Sequence, residues 1–174
     1  NVADTTFFKN KVKFSNSRYQ HREVAARLLF LNYSLETNGK ILDTKKPYLD
    51  SMTVKYKNDA GLSPKKYENE VKTVLKEMSN LFIDSDNLLR SQSSIAIYYL
   101  LFKNALNNNK LSLITRKKFF DFYDKLAENR KLAEKDITDA NFDYLEFERM
   151  SQQGTNDASS IRERVRILEQ EFGL

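Results

Sequence analysis

The chain has no cysteine and no tryptophan, and only one histidine, two prolines and four glycines among its 174 residues. Without cysteine it can form neither a disulfide nor a thiolate nucleophile. A single imidazole, that of His21, cannot build a multi-histidine zinc site, and no nucleophile elbow surrounds it. We therefore expect no catalytic residue, no metal site and no cofactor.

Glycine and proline are too scarce for a fold that needs many tight turns, and this scarcity favours helices. The glycines, at positions 39, 61, 154 and 173, are too far apart for a phosphate-binding loop. No apolar run approaches the roughly 18 residues of a membrane span, so we expect no membrane partner. The lack of cysteine fits a cytoplasmic location.

Apolar residues recur at helical spacing along most of the chain. The pattern predicts an all-α fold of about six or seven helices, packed around a central buried helix near residues 94–106. Residues 95–102 are apolar nearly all round, which is typical of a helix with no solvent face. We expect the helices near residues 19–37, 43–57, 64–82, 93–106, 115–133, 142–150 and 159–172.

Residues 1–17 do not share this pattern, and we predict an N-terminal arm or the remnant of a preceding region, followed by a helical domain at 18–174. Partial alternation from Thr6 to Phe14 is compatible with a short strand. Asp43 is expected to cap the second helix. A turn is expected at 58–61, with Ser63 as the cap of the third helix. Because the chain begins with Asn rather than Met, we expect a piece of a longer protein.

The positive charge is concentrated in the first third: residues 1–57 hold 11 Lys and Arg against 5 Asp and Glu, which leaves +6. A basic surface of this kind can attract phosphates, and a guanidinium can grip one in two places. The candidate nucleic-acid-binding residues are Lys11, Lys13, Arg18 and Arg22. The alternative is that Arg22 pairs with a neighbouring carboxylate and the lysines only solubilise an arm. The later arginines, at 162, 164 and 166, are expected to pair on a helix surface with nearby glutamates.

A wholly polar joint, residues 151–157, separates the last two predicted helices. As pure structure it is a helix stop at Gly154, a loop and a cap for the next helix. A connection of this kind has no need of two adjacent glutamines, whose amides can bind base edges, a nucleotide or a partner backbone. The candidates for ligand or interdomain contact are Gln152, Gln153, Thr155 and Asn156.

Two segments resemble a known bacterial family. Residues 18–27 read Arg-Tyr-Gln-His-Arg-Glu-Val-Ala-Ala-Arg, and residues 146–157 read Glu-Phe-Glu-Arg-Met-Ser-Gln-Gln-Gly-Thr-Asn-Asp, followed by Ser160-Ile161-Arg162-Glu163-Arg164. Both are similar to segments of the ParB-like family found at the N-terminus of GmrSD-type modification-dependent restriction proteins. The Asp-Gly-Gln-Gln-Arg motif of that family is missing from this chain.

The resemblance implies the C-terminal helical region of such a protein, without its catalytic residues. It also implies a setting in DNA restriction or phage defence, with the N-terminal half of the same protein and DNA as partners. The alternative function is a protein–protein interaction or oligomerisation module with no nucleic-acid role.

Overall fold

Seven α-helices account for most of the chain in a computed structural model, which describes residues 1–58 and 64–174. They are α1 Gln20–Asn38, α2 Lys46–Asn58, α3 Pro64–Leu81, α4 Gln92–Asn107, α5 Arg116–Lys135, α6 Phe142–Gln152 and α7 Ala158–Phe172. The described ranges contain no β-strand, so the predicted all-α class is confirmed. None of the described helices has the length and apolarity needed to cross a membrane.

Local chemistry sets the ends of several helices. Gly39 ends α1 in a left-handed conformation, with φ of 65°, and its N–H donates to the Leu35 carbonyl at 3.1 Å. Thr115 begins α5 by accepting a hydrogen bond from the Lys118 N–H at 3.3 Å. Asn141 begins α6 in the same way. The turn expected at 58–61 and the cap expected at Ser63 fall on residues outside the described part of the chain, apart from residue 58 itself.

The side chains of residues 95–102 in α4 are all buried, and α4 packs against α1, α3 and α7. Aromatic rings fill much of this region: the Tyr98 ring lies 5.9 Å from that of Phe82 and 4.7 Å from that of Phe119. Full burial of a large apolar side chain is worth about 1.5–3 kcal/mol. The eight-residue apolar run therefore supplies a large share of the hydrophobic stabilisation.

The N-terminal segment is helical in short pieces, and the short strand considered for Thr6–Phe14 is wrong. A 3-10 turn spans Val2–Asp4 and a π-helical turn spans Phe7–Lys11. Successive residues of a strand point to opposite sides, whereas here the adjacent Phe7 and Phe8 are both buried, with ring centroids 5.4 Å apart. They belong to the same hydrophobic core as α1 and α3, so this core includes both residues 1–17 and the helices that follow.

Candidate functional site

The polar joint is tied to the loop between α1 and α2. The Asp43 carboxylate accepts a hydrogen bond from the Ala158 N–H at 2.8 Å, and the Thr44 N–H donates to the Asn156 carbonyl at 2.8 Å. Asp43 therefore caps α7, and the prediction that it caps α2 is wrong. The reason is tertiary: the loop lies against the start of α7, whose first N–H groups have no partner within their own helix.

Charged side chains add to this contact. The Lys45 ammonium lies 2.5 Å from the Asp157 carboxylate and 3.4 Å from that of Asp43. Hydrogen bonding to Asp157 raises the pKa of Lys45. From α7, the Arg162 guanidinium donates to the Ile41 carbonyl at 3.2 Å. Loop 41–45 and the joint thus form one hydrogen-bonded unit.

The buried side chain of Arg164 is hydrogen-bonded to the joint. Its guanidinium donates to the Thr155 carbonyl at 2.8 Å and to the Ser160 carbonyl at 3.3 Å, and its side chain is only 1% exposed. The expected surface pairing of Arg164 is therefore wrong, because Arg164 lies on the same face of α7 as the buried Ile161 and Leu168. Burial lowers the pKa of Arg164 to about 10, against smaller raising effects of Tyr123 and Tyr98. Arg166 does pair as expected, with Glu163 at 2.7 Å.

The four joint residues singled out from the sequence have different environments. The Thr155 carbonyl and both oxygens of Asn156 take part in hydrogen bonds within the described structure. Gln152 and Gln153 are exposed, and neither side-chain amide bonds to any residue in the described ranges. The two glutamines therefore contribute nothing visible to the hydrogen-bonded unit and remain free for a ligand or partner.

The four basic candidates also divide into two pairs. Lys11 pairs with Asp84 at 2.7 Å, and the Lys13 ammonium donates to the Asn87 side chain. Arg18 and Arg22 are exposed and take part in no ion pair among residues 1–58 and 64–174. The expected alternative, a carboxylate partner for Arg22, is thus not seen in these ranges.

The second pair, Arg18 and Arg22, lies where the backbone at residues 18 and 19 turns into α1. Arg18 and Tyr19 have left-handed φ values, 55° and 61°, a conformation that costs a non-glycine residue about 1–2 kcal/mol. Tyr19 is 67% exposed, and the Arg22 guanidinium lies 5.1 Å from the centre of its ring. At the start of α1 an exposed aromatic ring therefore lies beside the Arg22 guanidinium and next in sequence to the exposed Arg18.

A cavity of about 470 Å³, which the sequence pattern does not predict, lies between the start of α4, α5 and α6. Its lining includes Arg90, Ser91, Phe120, Tyr123, Arg130 and Gln152. Asn87, which accepts the Lys13 hydrogen bond, also lines the cavity, so Lys13 lies beside it, and Gln152 of the polar joint lies on its wall. One sequence signal for this cavity is the pair Phe119 and Phe120. Because adjacent residues point to different faces of a helix, the two rings cannot both face the same core, and Phe120 must lie on another face of α5.

Helical spacing with Phe119, Phe122 and Leu126 predicts that Tyr123 points inward. Its side chain instead lies at the edge of this cavity, with 36% of its surface exposed. Its hydroxyl lies 2.5 Å from that of Tyr98, whose pKa is raised well above the usual value by burial. The hydroxyl explains the difference, since it can reach both a buried partner and solvent. Across the cavity, Arg130 pairs with Glu148.

Comparison of the chain with models of known protein families, with curated proteins and with solved structures gave no match. The resemblance to the ParB-like family therefore stays a prediction.

Proposed function

We propose that this chain is a non-catalytic helical domain of a ParB-like protein associated with restriction and phage defence. It supports an N-terminal half of the same protein and contacts DNA through its basic first third. The observation that carries the DNA contact is the exposed group formed by Arg18, Tyr19 and Arg22, in which neither arginine has a carboxylate partner within the described ranges.

The chemistry of this group suits a phosphate backbone. Arginine donates to phosphate in two places at once, and most protein–DNA hydrogen bonds go to phosphate and sugar. Lys13 lies on the segment that packs against the same end of α1, where the rings of Phe14 and His21 are 5.5 Å apart. Contacts of this kind bind duplex DNA without reading its sequence.

The test is the salt dependence of duplex binding, measured by fluorescence anisotropy with a labelled duplex. Each phosphate contact contributes about 0.9 to the slope of log affinity against log salt. Replacement of Arg18 and Arg22 together by Gln should flatten the slope by about 1.8. The matched control is Lys131→Gln with Lys135→Gln, which removes two exposed charges from α5, outside the basic first third. An equal effect of both pairs would reject the specific surface in favour of general charge.

The polar joint supports the second part of the proposal, contact with another half of the protein. Gln152 and Gln153 are exposed, so their replacement by Ala should leave the melting temperature of this chain unchanged. We expect the same double change to reduce the activity of the full-length protein. Full activity of that variant would remove the glutamines from the interface.

A specific observation favours the alternative, an interaction or oligomerisation module. Three large apolar side chains around the connection from α5 to α6 are exposed: Leu132 at 44%, Ile137 at 69% and Phe142 at 72%. Exposed apolar groups that lie close together often mark protein interfaces. Analytical ultracentrifugation tests this reading: a dimer that Ile137→Ser with Phe142→Ser converts to monomer, together with no DNA binding at low salt, would favour the module.

A further inference from the structure

We propose that the cavity between α4, α5 and α6 holds one unpaired nucleotide of a DNA strand, with its phosphate at Arg90 and its base against Phe120. The inference rests on the proposed DNA contact and deepens it, because it names single-stranded rather than duplex DNA as the ligand of a second site. The volume, about 470 Å³, is within the usual range of about 300–1,000 Å³ for small-ligand sites.

Charge in the cavity favours an anion. The charged lining side chains are Arg90, Arg130 and Glu148, a net of +1. Glu148 is already paired with Arg130, whereas Arg90 is exposed and has no ion-pair partner in the described ranges. Ser91 and Ser93 also line the cavity, and because their hydroxyls bond to each other at 3.0 Å, one hydroxyl proton of the pair is left to donate. A phosphate would compensate the charge of the Arg90 guanidinium and accept a hydrogen bond from the hydroxyl of this pair that still has a proton to donate.

The opposite wall suits a flat ring. Phe120 is 47% exposed, and the guanidinium of Arg116 lies 5.4 Å from its ring centre. Arg116 is itself fixed by Asp86, which is buried and also accepts from the Leu88 N–H at 3.0 Å. The phenyl ring is therefore held in place while about half of its surface stays open. Such a ring is a platform for stacking a nucleobase.

Gln152 completes the set, because its exposed amide lines the cavity and can both donate to and accept from a base edge. A paired base stacked within a duplex presents neither face to a protein side chain, so only an unpaired nucleotide can use the Phe120 wall. Leu88, Leu126 and Phe147 form an apolar floor, which favours a ring over a bare inorganic anion.

The experiment measures binding of a labelled single-stranded oligodeoxynucleotide by fluorescence anisotropy. Phe120→Ala should weaken binding at least about five-fold, since stacking of one base contributes that much or more. Arg90→Gln should lower the salt slope by about 0.7, the contribution of one phosphate of a single strand. The matched controls are Phe142→Ala and Lys131→Gln, which remove an exposed ring and an exposed charge elsewhere. Both controls should bind like the parent.

Circular dichroism melting of each variant checks that it folds. Unchanged single-strand binding by folded Phe120→Ala, or binding of free thymidine monophosphate but not of the strand, would overturn the inference. The cavity variants should leave duplex affinity unchanged, whereas the Arg18 and Arg22 double variant should lower it. If the cavity variants bind the single strand like the parent while the Arg18 and Arg22 double variant loses duplex affinity, the cavity site alone is rejected. The opposite pair of results rejects the duplex surface alone.

Discussion

Gly154 is the residue of the joint whose replacement has the most defined structural cost. Its φ is +60°, and a methyl group added to its Cα would lie 2.8 Å from a carboxylate oxygen of Asp157. Two costs therefore add in Gly154→Ala: a left-handed backbone at a non-glycine residue, about 1–2 kcal/mol, and displacement of the Asp157 side chain from Lys45. The second cost is small, because the ion pair is exposed.

Gly39 provides the matched control. Its φ is +65°, and a methyl group added there would meet nothing within 4 Å. Gly39→Ala should therefore show the backbone cost alone, about 1 kcal/mol, while Gly154→Ala should cost more by a few tenths or above. The difference between the two variants isolates the contact with Asp157.

The assay is urea unfolding of the parent and both variants, followed by circular dichroism. A second cycle in the background of Asp157→Ser removes the carboxylate that the methyl group would meet, and the two glycine replacements should then cost the same. A Gly154→Ala variant that is no less stable than Gly39→Ala, or a stabilising effect of either replacement, would contradict the prediction.

Three further outcomes follow from the fold. Tyr98→Asp should prevent stable folding, because a buried unpaired charge costs several kcal/mol; a melting curve like that of the parent would contradict the burial of this site. Asp43→Ala should cost about 1 kcal/mol as a lost cap of α7, against no change for the exposed Asp50→Ala, both measured by urea unfolding. Burial lowers the pKa of His21 below 6.5, so the unfolded chain binds this proton more readily and stability should fall as the pH drops through 6.5 towards the folded pKa. Because His21 is the only histidine, one imidazole resonance in NMR measures that pKa, and His21→Gln should abolish this part of the pH dependence.

The class and most of the helices could be predicted because they depend on local signals. Helical spacing of apolar residues, Gly39 and Thr115 place α1 and α5 within two residues of their observed starts and ends. The environment of Asp43 could not be predicted, since its partner is 115 residues away in the sequence. A carboxylate before a helix is the usual sign of a local cap, and only the packing of α7 shows otherwise.

The site was less predictable than the fold. The exposure of Arg22, Gln152 and Gln153 agrees with their selection from the sequence, but so would that of many polar residues. Arg164 was assigned to a surface because its neighbours in sequence are charged, and its burial depends on carbonyl groups of a loop whose shape the pattern does not give. The cavity forms only where α4, α5 and α6 pack together, so no sequence pattern predicts that Arg90 and Phe120 line the same site.

The contact between loop 41–45 and the joint has a consequence for how the protein is made. Its hydrogen bonds link residues 112 to 121 positions apart, so the loop leaves the ribosome long before its partners do. Contacts between distant residues form late, because the intervening chain must first be closed. Until about the start of α7 has emerged, the Asp43 carboxylate lacks the Ala158 N–H and the Thr44 N–H lacks the Asn156 carbonyl. A polypeptide that stops after α6 would keep those groups solvated, and synthesis of α7, rather than binding of a ligand, would join loop 41–45 to the joint.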